Sequence, residues 1–142
     1  MRRLFTLSIG EVVDLARAQA VLLAALWAIR TRPRGQLLRP VGPSDVPPRP
    51  DQVRRIARMA TAVDRAARFG LFRPTCLVRA IALESLLRRE HVDSAAVRVG
   101  VLRSQGALLA HAWIELDGRV VGDEPSRVKR FVPLHDFSAL SQ

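Results

Sequence analysis

Three segments of the chain carry apolar residues at helical spacing. They run from Glu11 to Arg30, from Asp51 to Phe69 and from Cys76 to Arg89. In the second segment an apolar stripe alternates with arginines, which is typical of an amphipathic helix lying on a hydrophobic core. The third segment is apolar on nearly all sides, so we expect its helix to be central and buried.

Residues at the segment ends indicate where these helices begin and end. Asp51 follows Pro50 and can cap the second helix, while Gly70 suits a left-handed closing residue. Thr75 is a good N-cap for the third helix, because its hydroxyl can accept a hydrogen bond from an early helical N–H. These ends predict Cys76 at the first position of the third helix.

The hydrophobic pattern changes period after residue 94. Three strands are predicted there: Ala95–Arg103, Ala107–Leu116 and Arg119–Asp123. Phe131–Leu134 is expected to cover the edge of the sheet or to add a strand. Helices followed by antiparallel strands indicate an α+β domain, which we place at residues 51–142.

The first 50 residues are predicted to hold an apolar helix and a proline-rich linker, Thr31 to Pro50. The uncharged part of the helix, Ala18–Ile29, has 12 residues, fewer than the ~20 that a membrane-spanning helix needs. Arginines follow the apolar run in place of a cleavage site, which argues against a signal peptide. We interpret the helix as one that packs on the domain or on a partner, and surface contact with a membrane is the further alternative.

The chain has 142 residues and a net charge of +10, supplied almost entirely by arginine. Such a charge would suit a nucleic acid, an anionic membrane surface or an acidic peptide. Nucleic acid is not expected as a partner, because the arginines are spread along the chain and few aromatic residues can stack on bases. One cysteine cannot form an intramolecular disulfide, so we expect a cytoplasmic protein. A single cysteine and three scattered histidines lack the spacing of a metal site, and no cofactor is expected.

The position of the only cysteine suggests a chemical role. At a helix start, the unpaired N–H groups and the macrodipole favour negative charge, and hence the thiolate of Cys76. The alternative is that a lone cysteine is a small buried apolar residue. The backbone N–H of Cys76 is a natural donor to an oxyanion, although the sequence identifies no second donor.

The strand Ala107–Leu116 alternates, and the alternation separates two faces. One face is apolar throughout and is expected to meet the helices: Ala110, Ala112, Ile114 and Leu116. The other face carries His111, Trp113 and Glu115. A histidine on this mixed face is not a core residue, so its neighbours on the next strand matter.

The loop at Asp117-Gly118 sets which acid lies opposite His111. In a two-residue type I′ turn, His111 faces Glu124. In a three-residue loop with the glycine in a left-handed bulge position, His111 lies opposite Asp123. We favour the three-residue loop and Asp123, because that register also places two apolar residues beside the pair, and Glu124 is the alternative.

Cys76, His111 and Asp123 can then act as nucleophile, base and orienting acid. A cysteine at a helix N-terminus, with histidine and aspartate on adjacent antiparallel strands, is the arrangement of transglutaminase-like and papain-like enzymes. Spacing alone is a modest argument, since such a trio can be picked from many chains. The structural context predicted for each residue strengthens it.

A more specific resemblance lies in several short segments taken together: Cys76–Leu83, Leu86–Arg89, Val99–Val101, His111–Glu115, Asp117-Gly118 and Val121–Asp123. As a set they resemble the leader-peptide-removing B proteins of lasso-peptide biosynthesis, which belong to the transglutaminase-like superfamily and are related to the microcin-maturation proteases. The resemblance covers about residues 50–140, with a weaker match in the N-terminal helix.

The resemblance implies a cysteine protease that cuts a ribosomally made precursor between leader and core, with Cys76 as nucleophile, His111 as base and Asp123 as orienting acid. It also implies a separate ATP-using macrolactam synthetase, similar to asparagine synthetase, that closes the ring. The first 50 residues are too short and proline-rich for the leader-recognition domain of fused relatives. The resemblance therefore implies a stand-alone protease that depends on a small leader-binding protein. Relatives often carry a polar residue at the position of Gly122, which leaves the support of Asp123 open.

Other interpretations remain at this point. The protein could be another transglutaminase-like amidase or acyltransferase, or a non-catalytic scaffold that binds peptides. His91 and His135 are expected to be exposed or structural, and His135-Asp136 is an alternative pair. Arg54, Arg55 and Arg58 form a basic surface that could hold an acidic leader or partner.

Overall fold

Helices come first and an antiparallel sheet follows, as the change of period predicts. The structure is a computed structural model and describes residues 7–33 and 46–134. Its main helices are α1 (Ile9–Thr31), α2 (Pro50–Phe69) and α3 (Cys76–Arg89). They are followed by β1 (Ala95–Ser104), β2 (Ala107–Leu116), β3 (Arg119–Val121), the one-turn helix α4 (Pro125–Val128) and β4 (Val132–Pro133). The α+β prediction is confirmed.

The ends of α2 differ from the prediction at both termini. Pro50 is the first helical residue, so Asp51 lies inside the first turn and is not the N-cap. Proline suits this position because its fixed φ is already helical and its missing N–H would have no partner there. Gly70 closes the helix in an extended conformation, with φ −82°. Glycine is required by space instead, since a Cβ would collide with the backbone carbonyl oxygen of Ala66.

The third helix is central, as its apolar circumference predicts. It packs against α1, α2, β1 and β2. The hydroxyl of Thr75 accepts a hydrogen bond from the N–H of Val78 at 3.4 Å, which confirms Thr75 as the N-cap. Cys76 is therefore the first helical residue. A buried helix of 14 residues gives this cysteine a rigid mount.

The four strands lie in the order β3-β2-β1-β4, all antiparallel. Leu116 pairs with Arg119, so the loop between β2 and β3 has two residues and the predicted three-residue loop is wrong. Asp117 and Gly118 both have positive φ, at 49° and 79°, as a type I′ turn requires. This turn matches the right-handed twist of the flanking strands. The predicted edge strand near Phe131 is confirmed by β4, which pairs with β1.

Burial confirms the apolar face of β2 from Ala112 onward, whereas Ala110 is exposed and does not meet the helices. Ala112, Ile114 and Leu116 belong to the same hydrophobic cluster as the helices. Trp113 is also buried, on the other face, where its ring lies over Gly100 of β1. A Cβ at Gly100 would come within 2.8 Å of the indole, so the absence of a side chain there makes room for the tryptophan.

The first helix has a buried inner face and an exposed apolar outer face. Its buried residues are Ala18, Val21, Leu22 and Ala25. Ile9, Val12, Leu23 and Trp27 are among its exposed residues. By length and composition alone the helix could cross a membrane, a test that soluble core helices and signal sequences also pass. The apolar part of the helix is longer than the uncharged run Ala18–Ile29, because apolar residues also occupy the helical turns before Ala18. Most of the predicted linker lies outside the described residues.

Candidate active site

The structure brings Cys76, His111 and Asp123 around one cavity of about 40 Å³. The cavity lies between the start of α3 and the point where β3 ends. Its walls come from α2, α3, β2 and the segment after β3. Small and apolar residues form much of the lining: Ala60, Val63, Ala80, Leu83, Ala112, Ile114, Val121 and Gly122. The three sequence-predicted residues therefore share one space.

Cys76 lies at the helix start with a free, half-buried thiol. Within the described residues, the backbone N–H groups of Cys76 and Leu77 have no hydrogen-bond partner. Such groups are left over at every helix N-terminus and are oriented toward incoming negative charge. The N–H of Leu77 is thus a second candidate donor, which sequence reasoning did not identify. Arg79 lines the same cavity, and its guanidinium is paired with Asp64 at 2.8 Å.

His111 and Asp123 form a close hydrogen-bonded pair, with Nε2 and Oδ2 2.6 Å apart. Both side chains are only 12% exposed. Since an ionised carboxylate can only accept, Nε2 carries the proton and Nδ1 is left as the basic nitrogen. Two rings hold the imidazole: Phe131 at a centroid distance of 5.2 Å and Trp113 at 6.1 Å. Among the described residues, Sγ of Cys76 makes no hydrogen bond with the imidazole.

Asp123 reaches His111 by a route that differs from the predicted one. With a two-residue turn, continued pairing would place Glu124 opposite His111. Pairing stops at Val121, however, and Gly122 takes a φ of +73°. This conformation directs the chain out of the sheet and brings Asp123 against the imidazole. The side chain of Glu124 instead accepts a hydrogen bond from the Ser126 hydroxyl.

Three donors hold the carboxylate of Asp123. Besides His111, the backbone N–H of Glu124 donates to Oδ1 at 2.7 Å and Arg127 Nη2 donates to it at 2.6 Å. Burial by itself raises the pKa of Asp123, but the hydrogen bonds from these three groups outweigh it and the pKa is lowered overall. The acid is thus kept ionised and fixed in place.

Sequence reasoning missed Arg127, and it noted Gly122 only as a departure from the resembling family. Arg127 lies four residues after Asp123, on the one-turn helix that Pro125 begins, and this spacing was the available signal. Gly122 is required twice over: its φ is positive, and a Cβ would lie 2.8 Å from Cδ2 of Leu83. Residue 122 therefore packs tightly against Leu83, and Arg127 supports the acid.

The remaining candidates lie elsewhere. His91 is exposed just after α3, as expected, and His135-Asp136 lies outside the described residues. Arg55 pairs with Glu90, and Arg58 pairs with Asp14 of α1. These arginines therefore already connect helices. In the described part of the chain, no group of three His, Cys, Asp or Glu residues could hold a metal ion.

The fold and the site together define a class: an α+β protein with a cysteine at a helix start and a histidine–aspartate pair on a small antiparallel sheet. The chain belongs to the transglutaminase-like superfamily, whose family model matches residues 19–136. Members of this superfamily are typically cysteine-dependent enzymes, among them proteases and acyltransferases. No curated protein and no solved structure matches the chain.

Proposed function

We propose that this protein is a cysteine peptidase that removes the leader from a ribosomally made lasso-peptide precursor. The observation that carries the chemistry is the 2.6 Å contact between His111 and Asp123 beside the cavity that Cys76 lines. The choice of substrate is supported by the resemblance of the segments around these residues to the lasso-peptide leader peptidases. Cys76 is the nucleophile, His111 the base and Asp123 the orienting acid.

In the first half of the reaction, Nδ1 of His111 takes the proton of the Cys76 thiol. Sγ then attacks the carbonyl carbon of the scissile amide, and a C–S bond forms as the carbonyl oxygen becomes an oxyanion. The N–H groups of Cys76 and Leu77 stabilise this oxyanion. The imidazolium gives its proton to the amide nitrogen, the C–N bond breaks, and the core peptide leaves with a free amine.

In the second half, water attacks the thioester and gives a proton to Nδ1. The C–S bond breaks, the leader leaves as a carboxylic acid, and the imidazolium returns the proton to the thiolate. Asp123 stays ionised throughout, since its lowered pKa keeps it charged, and it stabilises the imidazolium formed in each half.

The partners in this proposal are the precursor, a small leader-binding protein and a macrolactam synthetase that uses the released core. The leader-binding partner is proposed because the resemblance implies a stand-alone protease that depends on one. We place the reaction in the cytoplasm, where a single free thiol stays reduced.

The test uses the full chain with a lasso-peptide precursor and a leader-binding protein that recognises its leader. Cys76→Ala should abolish cleavage while the circular dichroism spectrum stays unchanged. A mass increase equal to the leader acyl group on Cys76 should be trapped by acid quenching of the wild-type reaction. Cleavage by Cys76→Ala at the wild-type rate would refute the proposal.

Two other functions keep part of this site. An acyltransferase of the same superfamily would transfer the acyl group of the thioester to an amine. An added amine would then be joined to the product, and little of the acyl group would be hydrolysed by water. A non-catalytic scaffold would have no activated thiolate, and iodoacetamide would then label Cys76 at neutral pH no faster than it labels free cysteine.

A further inference from the structure

The second strand has an open edge that leads into the cavity. β1 pairs with β2 along its whole length, from Ala107 to Leu116. On the other side, β3 pairs only with Ile114, Glu115 and Leu116. Within residues 7–33 and 46–134, no strand covers Ala107–Trp113 on the side away from β1.

The registers show which backbone groups face this open side. Both turns have two residues, so the pairs Ser104–Ala107 and Leu116–Arg119 exchange both of their backbone hydrogen bonds. Because bonded pairs alternate along an antiparallel ladder, the odd-numbered residues of β2 bond to β1. The N–H and C=O groups of Leu108, Ala110 and Ala112 therefore face the open side.

This row of groups ends at the site. Ala112 lines the cavity together with Cys76 and His111. From there the edge runs outward through Ala110 to Leu108, about 14 Å away at the usual rise of a strand. The outer residues are apolar and exposed, with Leu108 at 68% and Leu109 at 47%.

The edge also lacks the features that usually prevent pairing with another chain. Proteins protect exposed strand edges with charged residues, prolines or bulges. The segment Ala107–Ala110 has none of these, whereas the opposite edge of the sheet is covered by β4 with Pro133. An uncharged, unpaired edge that begins at a reactive cysteine is suited to an extended peptide.

We propose that the β2 edge, Leu108–Ala112, binds the substrate peptide as an added β-strand and delivers its scissile bond to Cys76. This inference rests on the proposed peptidase function. Residues on the acyl side of the scissile bond pair with Leu108 and Ala110, so the peptide runs parallel to β2. A substrate peptide would continue the path of β3, because β3 stops pairing with β2 after Val121 and the space beside β2 leads from there into the cavity.

The test measures alkylation of Cys76 by intact mass, with alanine-based acetyl-peptide chloromethyl ketones of two and six residues. Alanine is chosen because the cavity is small. The longer probe should react at least about tenfold faster, because it adds edge hydrogen bonds. In the six-residue probe, a single N-methyl group on a residue whose N–H faces the edge should slow alkylation roughly threefold to tenfold. An N-methyl group on one of the residues between them should slow it little.

Variants of the protein provide the matched comparison. Ala110→Pro removes an edge N–H without breaking a bond to β1, and should abolish the gain from the longer probe. Arg103→Pro removes an edge N–H of the same hairpin on the far side of the sheet, and should keep that gain. If Ala110→Pro fails to fold, the N-methylated probes tested on the wild-type protein decide whether the edge binds the peptide.

The possible failures can be told apart. Labelling of Cys76 by iodoacetamide no faster than that of free cysteine at neutral pH would remove the peptidase function, and the strand proposal with it. Faster labelling with no gain from the longer probe would overturn the strand proposal alone. A gain without two-residue periodicity in the N-methyl series would also overturn it. The strand proposal would also be overturned if the wild-type chain were a dimer that dissociates in Ala110→Pro and if the longer probe gave no gain. The edge would then pair with a second copy of this chain.

Discussion

Replacing Gly122 by alanine tests how the acid is brought to the histidine. Two costs are expected. A non-glycine residue at the observed φ of +73° costs ~1–2 kcal/mol. The added Cβ would also lie 2.8 Å from Cδ2 of Leu83, well inside a normal carbon–carbon contact, and such overpacking costs ~1–3 kcal/mol. Gly122→Ala should therefore lower the free energy of unfolding by about 2–5 kcal/mol.

Gly118→Ala is the matched control. Its φ is +79°, but an added Cβ there meets no atom within 4 Å, so only the conformational cost of ~1–2 kcal/mol applies. Urea unfolding followed by circular dichroism gives both free energies. In a double-mutant cycle, Leu83→Ala should partly rescue Gly122→Ala, because it removes the clashing methyl group. Activity should fall in Gly122→Ala even where the protein is fully folded, since Asp123 is displaced from His111.

The reasoning would be refuted if Gly122→Ala and Gly118→Ala lost the same stability and Leu83→Ala showed no coupling. The contact with Leu83 would then have no energetic role. Full activity in folded Gly122→Ala would show that the position of Asp123 does not depend on the conformation at residue 122.

Further predictions concern the acid and its support. Asp123→Asn should reduce turnover by several orders of magnitude, because it disturbs the imidazole tautomer, whereas Glu124→Gln should stay near wild type; the reverse result would reassign the acid. Arg127→Gln should raise the pKa of Asp123 and shift the acid limb of the pH–rate profile to higher pH, with a smaller shift in Arg127→Lys. Above about pH 4, wild type should be more stable than Asp123→Asn by urea unfolding. Since the pKa of Asp123 is lowered on folding, this difference should shrink as the pH falls below that value.

Much of the fold could be predicted because its signals are local. The start of α3 depends on Thr75, and its burial depends on apolar residues around the whole helix. The alternation in β2 separated His111 from the core face without knowledge of any neighbour. Period and capping act within a few residues, so the linear sequence contains them.

The loop between β2 and β3 shows where local reasoning failed. Asp117-Gly118 is a strong signal for a two-residue turn, and the structure has that turn. The preference for the three-residue loop rests on the two apolar residues that its register places beside the pair, and it also requires β3 to continue to Asp123. That continuation requires every residue after the turn to stay in the ladder. Gly122 leaves it, so the right acid was chosen through the wrong register.

The sequence by itself determined that a cysteine begins a buried helix and that a histidine and two acids lie on or just after neighbouring strands. Only the tertiary structure decided which acid contacts His111. That choice depends on the packing of Gly122 against Leu83 and on Arg127 from a separate turn of helix. Gly122 and Leu83 are far apart in the chain, so pattern along the chain does not contain their contact. Arg127 lies only four residues after Asp123, but that spacing alone does not show which acid it contacts.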